Sequence, residues 1–156
     1  MKIELKNINY AEFASEETNC YSASLYVDGK RLGVVRNDGH GGPDYFDGNQ
    51  ADFNKVNDWC KANLPKWEAF GSSGITDLEM HCASLLSDWL LEKEYKRLSR
   101  GKILFIEGGD LMHVSFKRVR KITQDHLDWF TVKYPERKAL NSMPFADGFA
   151  AFKGAV

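Results

Sequence analysis

Apolar and polar residues alternate with a period of two in the first forty residues of the chain, which is the pattern of half-buried β-strands. The pattern covers residues 2–9, then residues 20–27 and 31–37 on either side of Asp28-Gly29. Asp-Gly favours the left-handed backbone of a two-residue type I′ turn. We therefore predict one strand followed by a β-hairpin.

The turn also predicts which residues of the hairpin face each other. A two-residue turn at Asp28-Gly29 fixes the pairing of every later position along the two strands. The predicted pairs are Val27 with Lys30, Leu25 with Leu32 and Ala23 with Val34. One face of the hairpin is then apolar and the other polar, so we expect helices to cover a single face of an antiparallel sheet.

In the middle of the chain, apolar residues recur every three or four positions instead of every two, and this spacing indicates helices. A helix is predicted over residues 51–63, with Asp47 or Asn49 as its N-cap and Pro65 ending it. A longer helix is predicted to begin with the capping box Thr76–Glu79 and to reach about Arg100, with Gly101 as its C-cap.

The last third of the chain contains a second hairpin pattern, residues 103–106 and 111–116 around Gly108-Gly109. Both faces of these strands are apolar, which predicts central strands. Thr123 is the predicted cap of a short helix that ends before Pro135, and residues 139–143 have the pattern of a final extended segment.

These elements predict an α+β protein: an antiparallel sheet built from two hairpins, with one long and two or three shorter helices packed on it. Strands and helices do not alternate regularly, as a doubly wound parallel sheet requires. A chain of 156 residues is long enough to bury its own core. We expect residues 1–156 to form a single domain.

Composition narrows the functional classes. The net charge is −1, but residues 1–80 carry 8 Lys and Arg against 13 Asp and Glu, and the remainder carries 13 against 9. This division permits a basic face or a homo-oligomer in which opposite halves pair. At a pI of 6.4, nucleic acid is not an expected partner.

Three cysteines without CxxC spacing indicate reduced thiols, and the first ten residues lack the apolar stretch of a signal peptide. We expect a cytoplasmic protein without a membrane span. Since no established cofactor, metal or catalytic signature is present, the sequence favours a binding protein over an enzyme.

Residues 37–46, NDGHGGPDYF, contain the densest set of side chains in the chain that can bind a ligand or take part in catalysis. This stretch is the predicted site. Glycines in such a loop let backbone N–H groups converge on an anion. His40 would add a hydrogen bond, and Arg36 a positive charge. The predicted ligand-binding residues of this loop and strand end are Arg36, Asn37, Asp38, Gly39, His40, Gly41, Gly42 and Tyr45.

Three other interpretations of this loop remain open. One is a metal site formed by His40 with Asp38, Asp44 or Asp47, although these residues supply too few ligands for a usual site. His40 positioned by Asp38 or Asp44 would suit general acid–base catalysis. Gly, Asn and Asp are also the residues that turns require for conformational reasons alone.

Residues outside the loop complete the predicted site. Arg118 and Arg120 would face one way from an extended segment and supply charge for a phosphate, although such a basic run also guards a strand edge. Tyr45 and Trp67 would stack on a nucleobase. The expected ligand is therefore a small anion or a nucleotide.

Three groups of residues also resemble a known group of proteins. Small bacteriophage and prophage proteins contain segments similar to three parts of this chain. The first is the stretch from Lys6 to Gly42, which contains FASEET, YVDGK and NDGHGG. The other two are LLSDWLLEKEYKR in the long helix and ALNSMPF near the end. The resemblance implies an accessory protein that acts inside a bacterium, and it assigns no residue a role.

The resemblance and the loop together suggest a function. We expect a protein that counteracts host defence by sequestering a small phosphorylated, nucleotide-derived ligand. One alternative is a protein that inhibits a host defence enzyme by direct surface contact. Another is a hydrolase that depends on His40 and an aspartate.

Overall fold

The computed structural model describes residues 1–69 and 71–156 and confirms the α+β class. Within these residues the contacts define two compact units, Met1–Ser87 and Asp88–Val156. The single-domain organisation stays a prediction.

The first unit is built on an antiparallel sheet of four strands in the order β1-β2-β3-β4. The strands are β1 (Ile3–Tyr10), β2 (Tyr21–Val27), β3 (Lys30–Asn37) and β4 (Tyr45–Gly48). The predicted first strand and hairpin are confirmed. Strand β4 was not predicted, because its four residues are too few to show a period.

The predicted register of the hairpin is correct for Val27–Lys30 and for Tyr26–Arg31, and it is wrong beyond these two pairs. Val27 faces Lys30 as expected, but a bulge places Leu25 opposite Gly33 and Ala23 opposite Val35. The bulge brings Gly33 to the buried face, where no space is left for a side chain: a Cβ on Gly33 would collide with the Asp47 carbonyl oxygen and lie 2.7 Å from Phe53 Cζ. A turn sequence sets only the start of a register, whereas packing decides where it shifts.

Helix α1 (Gln50–Asn63) follows as predicted, and the Asn49 side chain caps it by accepting hydrogen bonds from the backbone N–H groups of Ala51 and Asp52. Two short strands, β5 (Trp67–Ala69) and β6 (Ser72–Gly74), then form a small antiparallel ribbon that the sequence did not predict. The buried side of α1 consists of Phe53, Val56 and Cys60.

The long helix α2 (Leu78–Gly101) is confirmed, but its predicted capping box is wrong. Asp77 caps the helix by accepting a hydrogen bond from Met80 N at 2.9 Å. The Thr76 hydroxyl instead donates to the carbonyl of Pro65, and the Glu79 carboxylate accepts the backbone N–H of Asp44. Both side chains find partners far away in the sequence, so Glu79 is available to the site described below.

The second unit contains the other predicted hairpin, β7 (Lys102–Glu107) and β8 (Asp110–Ser115). These strands form a two-stranded sheet of their own, so neither the single sheet of two hairpins nor the central position of these strands is correct. Leu104 packs with Tyr95, Leu140 and Phe152 on one side of β7. Ile103 and Phe105 pack with Phe130 and Ala139 on the other. Helical side chains, rather than neighbouring strands, account for the two apolar faces.

Helix α3 (Gln124–Lys133) begins after Thr123 and ends before Pro135, as predicted. The predicted extended segment at residues 139–143 is instead a short 3-10 turn, Leu140–Ser142, followed by helix α4 (Phe145–Gly154). The Asn141 side chain explains the turn, since it donates to the carbonyls of Ser99 and Lys102 and accepts from Leu104 N.

The three cysteines are free thiols, and Cys60 and Cys82 are buried. Among residues 1–69 and 71–156, no helix has the length and apolar character needed to cross a membrane.

Candidate functional site

Asn37, the last residue of β3, is the centre of the candidate site. Its side chain is 94% buried and makes four hydrogen bonds. The amide oxygen accepts from the Thr18 hydroxyl at 2.7 Å and from Gly39 N at 2.9 Å. The amide nitrogen donates to the Gly42 carbonyl and to Asp44 Oδ1, both at 3.0 Å. One side chain thus holds both ends of the glycine loop.

The loop is also bound to the FASEET segment that lies between β1 and β2. The Gly39 carbonyl accepts hydrogen bonds from the backbone N–H groups of Glu16 and Glu17 at 3.0 Å and of Thr18 at 3.3 Å. Gly41 N in turn donates to the Thr18 hydroxyl. Two segments about twenty residues apart therefore form one hydrogen-bonded structure.

This arrangement changes how the glycines can contribute to binding. Gly39 and Gly41 have positive φ angles, +89° and +85°. Their N–H groups, however, are used inside the loop, by Asn37 and Thr18. An anion nest would need these groups directed at the ligand. The glycines therefore shape the loop, and side chains must supply most of the binding chemistry.

Asp44 and Tyr21 extend the network from Asn37 towards helix α2. The Tyr21 hydroxyl donates to Asp44 Oδ2 at 2.5 Å, while Asp44 Oδ1 accepts from Asn37. The backbone N–H of Asp44 donates to Glu79 Oε1 at 3.0 Å. Asp44 is thus held at three atoms, and it fixes the Glu79 carboxylate beside it.

Two cavities flank this pair of carboxylates. One, of about 210 Å³, lies between the loop and helix α2, and its walls include Tyr21, Asn37, Asp44, Glu79 and Leu86. The other, of about 260 Å³, lies on the side of α1 and shares Asp44 and Glu79 with the first. The described residues that line them include no Lys, Arg or His. The site is therefore acidic.

Burial makes the neighbouring weak acids hard to ionise. The pKa of the Tyr21 hydroxyl is raised by its burial and by its hydrogen bond to Asp44. The pKa of the Cys82 thiol is raised mainly by burial, and the nearby negative charge of Asp44 adds to the effect. Both groups stay neutral at physiological pH, so Cys82 does not provide a thiolate nucleophile.

Other predicted residues of the loop lie away from these cavities. Alternate residues of a strand point to opposite faces, and Arg36 therefore lies on the face opposite to Asn37. There its guanidinium is 5.5 Å from the ring centroid of Tyr45, which is half exposed. His40 is exposed on the loop, with Nδ1 3.2 Å from Glu16 Oε2, and Asp38 is exposed as well.

The remaining predicted residues belong to other parts of the fold. Trp67 on β5 lines a separate cavity of about 380 Å³ that includes Met80 and His81. Arg118 and Arg120 lie in the second unit, in a turn rather than in the predicted extended segment, and Arg118 has a φ of +66°. Val119 N bonds to the Phe116 carbonyl to close that turn.

Sequence reasoning missed three residues of the network: Thr18, Tyr21 and Glu79. Thr18 and Tyr21 flank Cys20 in a stretch that was interpreted as a loop followed by strand, and Glu79 was assigned to the helix cap. Thr18 follows two glutamates and precedes Asn19, and nothing in this polar stretch indicated its role. Among the described residues, no group of three or more His, Cys, Asp and Glu side chains has the arrangement to hold a metal ion.

Comparison with known proteins adds no further constraint, because no family model, no curated protein and no solved structure matches the chain.

Proposed function

We propose that this protein is a binding protein that captures a small nucleotide-derived ligand, with the nucleobase in the cavity between Asn37 and Glu79. In the phage-like context suggested by the FASEET, YVDGK and NDGHGG segments, the ligand is a nucleotide signal of host defence, and its sequestration is the function. The proposal keeps the predicted class of ligand but changes the group that is recognised from the phosphate to the base.

The observation that carries this proposal is the state of the Glu79 carboxylate. One oxygen accepts the Asp44 N–H, while the other accepts no hydrogen bond from the residues that the structure describes. An ionised carboxylate has about four acceptor positions, so Glu79 retains capacity for a ligand. With Asp44 alongside and no cation in the lining, the cavity suits a group that donates N–H bonds rather than a bare phosphate.

Guanine is the nucleobase that best fits this chemistry. It presents N1–H and the 2-amino group side by side, and two parallel donors match the two oxygens of a carboxylate. Leu86 and Ala83 supply apolar surface for a planar ring. A volume of about 210 Å³ is smaller than that of typical drug-sized pockets, so it suits the base alone. The phosphates would then extend outward past Thr18, Asn19 and Gly42.

The residues around the cavity favour capture over turnover. Catalysis needs a nucleophile or base that can change its protonation or its partners. Both oxygens of Asp44 are engaged, the thiol of Cys82 is buried and neutral, and the His40 imidazole pairs with Glu16. A rigid, prearranged site loses little entropy when it binds a ligand.

The proposal is tested by native mass spectrometry of the full chain mixed with guanine and adenine nucleotides, including cyclic ones, and with inorganic phosphate and spermidine. We expect an adduct with guanine nucleotides that is released intact on denaturation. Glu79→Gln keeps an acceptor for Asp44 N but replaces the other oxygen with a donor. Loss of a charge-assisted hydrogen bond of about 1.5–3 kcal/mol should weaken binding by roughly ten- to a hundredfold.

A matched control is Glu16→Gln, which makes the same chemical change at the exposed His40 pair and should leave the affinity unchanged. An adduct with phosphate or spermidine alone, or undiminished binding by Glu79→Gln, would overturn the assignment of the base. Chemically altered nucleotides would indicate an enzyme. Capture of a host protein that is abolished by Phe13→Ala would support direct inhibition instead, because the Phe13 side chain beside the loop is 94% exposed.

A further inference from the structure

The second unit carries an excess of positive charge that the proposed ligand site does not use. Residues 88–156 contain 13 Lys and Arg against 9 Asp and Glu. The excess is concentrated near the end of α2 and in the turn after β8. We call this group the basic face; it consists of Arg100, Lys102, Lys117, Arg118, Arg120 and Lys121.

Backbone contacts bring three segments of the basic face together. Ile122 N donates to the Arg100 carbonyl at 2.7 Å, which fixes the end of the turn against the end of α2. Lys102 opens β7 and pairs with Ser115 of β8, one residue before the turn begins. Its ammonium lies 3.4 Å from His113 Nε2. Cations from separate parts of the sequence therefore share one region of this unit.

Among the described residues, the cations of the basic face have no carboxylate within ion-pair distance, unlike four other cations of the unit. Lys96, Arg97, Arg137 and Lys153 each pair with a carboxylate. None of the six cations of the basic face makes an ion pair with a carboxylate among residues 1–69 and 71–156. Five of the six are exposed, and Lys102 is half-buried. Uncompensated exposed charge of one sign attracts a polyanion.

Aromatic side chains adjoin the same turn. Phe116, its first residue, lies 5.2 Å from Trp129 and 4.7 Å from His126, measured between ring centroids. Trp129 is 40% exposed, and the Lys133 ammonium lies 5.2 Å from its ring. Exposed aromatic rings beside cations are the combination that binds single strands, because bases stack on the rings while cations contact phosphates.

We propose that the basic face and Trp129 bind single-stranded nucleic acid without sequence specificity. The overall pI of 6.4 hides this surface, because the acidic residues that lower it are concentrated in residues 1–87. The flexible lysines and arginines contact the sugar–phosphate backbone, and Trp129 stacks on a base. The binding is independent of the Glu79 cavity.

The test is fluorescence anisotropy of the full chain with a labelled oligothymidylate and oligouridylate of about 12 nucleotides, within the usual footprint of small single-strand-binding folds. We expect affinity to fall steeply between about 50 and 200 mM salt. Arg118→Glu with Arg120→Glu should reduce affinity at least tenfold. The slope of log affinity against log salt concentration should also become shallower by about two, because about two fewer counterions are released on binding. Lys30→Glu with Arg31→Glu makes the same charge change in the first unit and should have no effect.

An abasic oligomer of the same length separates stacking from charge without changing the protein. It should bind at least tenfold more weakly, since stacking contributes substantially for each base. Equal binding of the abasic oligomer would overturn the role of Trp129. Absence of binding at low salt, or unchanged binding by the double Arg118 and Arg120 variant, would overturn the proposal and leave an acidic protein as the partner to test.

Discussion

Two glycines of the loop have nearly the same backbone conformation but different surroundings. Gly39 and Gly41 have φ angles of +89° and +85°. A Cβ on Gly39 would collide with the carbonyl oxygen of Ala14 in the FASEET segment and lie 2.9 Å from Cys20 Cβ, two residues after that segment. A Cβ on Gly41 would meet the carboxylate of Glu17, which can rotate away. The need for glycine is therefore steric at Gly39 and mainly conformational at Gly41.

The first prediction compares alanine substitutions at these positions by urea denaturation. Gly41→Ala should lower the free energy of unfolding by about 1–2 kcal/mol, the cost of a left-handed alanine. Gly39→Ala should cost about 3 kcal/mol or more, because backbone must also move. Gly29→Ala is the control for backbone strain alone, since φ is +80° and nothing lies within 4 Å. Equal losses at all three positions would contradict the docking of the two segments.

Strand β7 is an element with two buried faces inside a sheet of only two strands. Leu104 belongs to the cluster around Tyr95, and Phe105 belongs to the cluster around Phe130. Both side chains are at least 97% buried. Consecutive residues of a strand point in opposite directions, so this strand separates two parts of the core of its unit.

The second prediction follows from this position of β7. Leu104→Ala and Phe105→Ala should each lower the free energy of unfolding by about 2–5 kcal/mol, because each leaves a cavity. Ile106→Ala, at the next position and 36% exposed, should cost well under half as much. Thermal or chemical denaturation measures all three. A small loss at either Leu104 or Phe105 would show that one face of β7 is open to solvent.

Elements defined by neighbours in the sequence could be predicted, and those defined by distant partners could not. Helix α1 was predicted because its apolar spacing and its two candidate caps, Asp47 and Asn49, are local signals, and Asn49 is the cap in the structure. The capping box of α2 failed because Thr76 bonds to Pro65, 11 residues earlier, and Glu79 to Asp44, 35 residues earlier. No local pattern contains such partners.

The same distinction applies to the candidate site. The loop itself could be located from the sequence, because its Gly, Asn and Asp residues are a local signal of turns. The roles of Thr18, Tyr21 and Glu79 depend on contacts between a loop, a strand and a helix that only the folded chain brings together. The alternation of a strand also separates Arg36 from Asn37, although the two are adjacent in the sequence.

At the scale of the whole molecule, the two compact units differ in charge. Residues 1–87 contain 8 Lys and Arg against 13 Asp and Glu, and residues 88–156 contain 13 against 9. The boundary between Ser87 and Asp88 falls inside the continuous helix α2. Leu86 and Tyr95, both buried residues of this helix, belong to different units. Breaking the helix between Leu86 and Tyr95 would remove backbone hydrogen bonds from both units.

The third prediction is that the chain unfolds in one cooperative transition, as expected of a single domain that shares a helix. Differential scanning calorimetry should give one peak with equal calorimetric and van't Hoff enthalpies. Leu104→Ala, a change in the second unit, should move the whole peak to lower temperature. Two resolved transitions, of which the variant moves only one, would show that the units are separate domains.

Three backbone N–H groups donate to the Gly39 carbonyl, and this arrangement limits the insertions and deletions that the chain can accept during evolution. An insertion or deletion in residues 16–18 would misalign these donors, and one in residues 37–42 would displace their acceptor. Either change alone would leave the carbonyl of the buried Gly39 without its donors, so the two segments are expected to lengthen or shorten together. Descendants of a common ancestor should therefore be recognisable by this pair of segments, even where the helices have drifted apart.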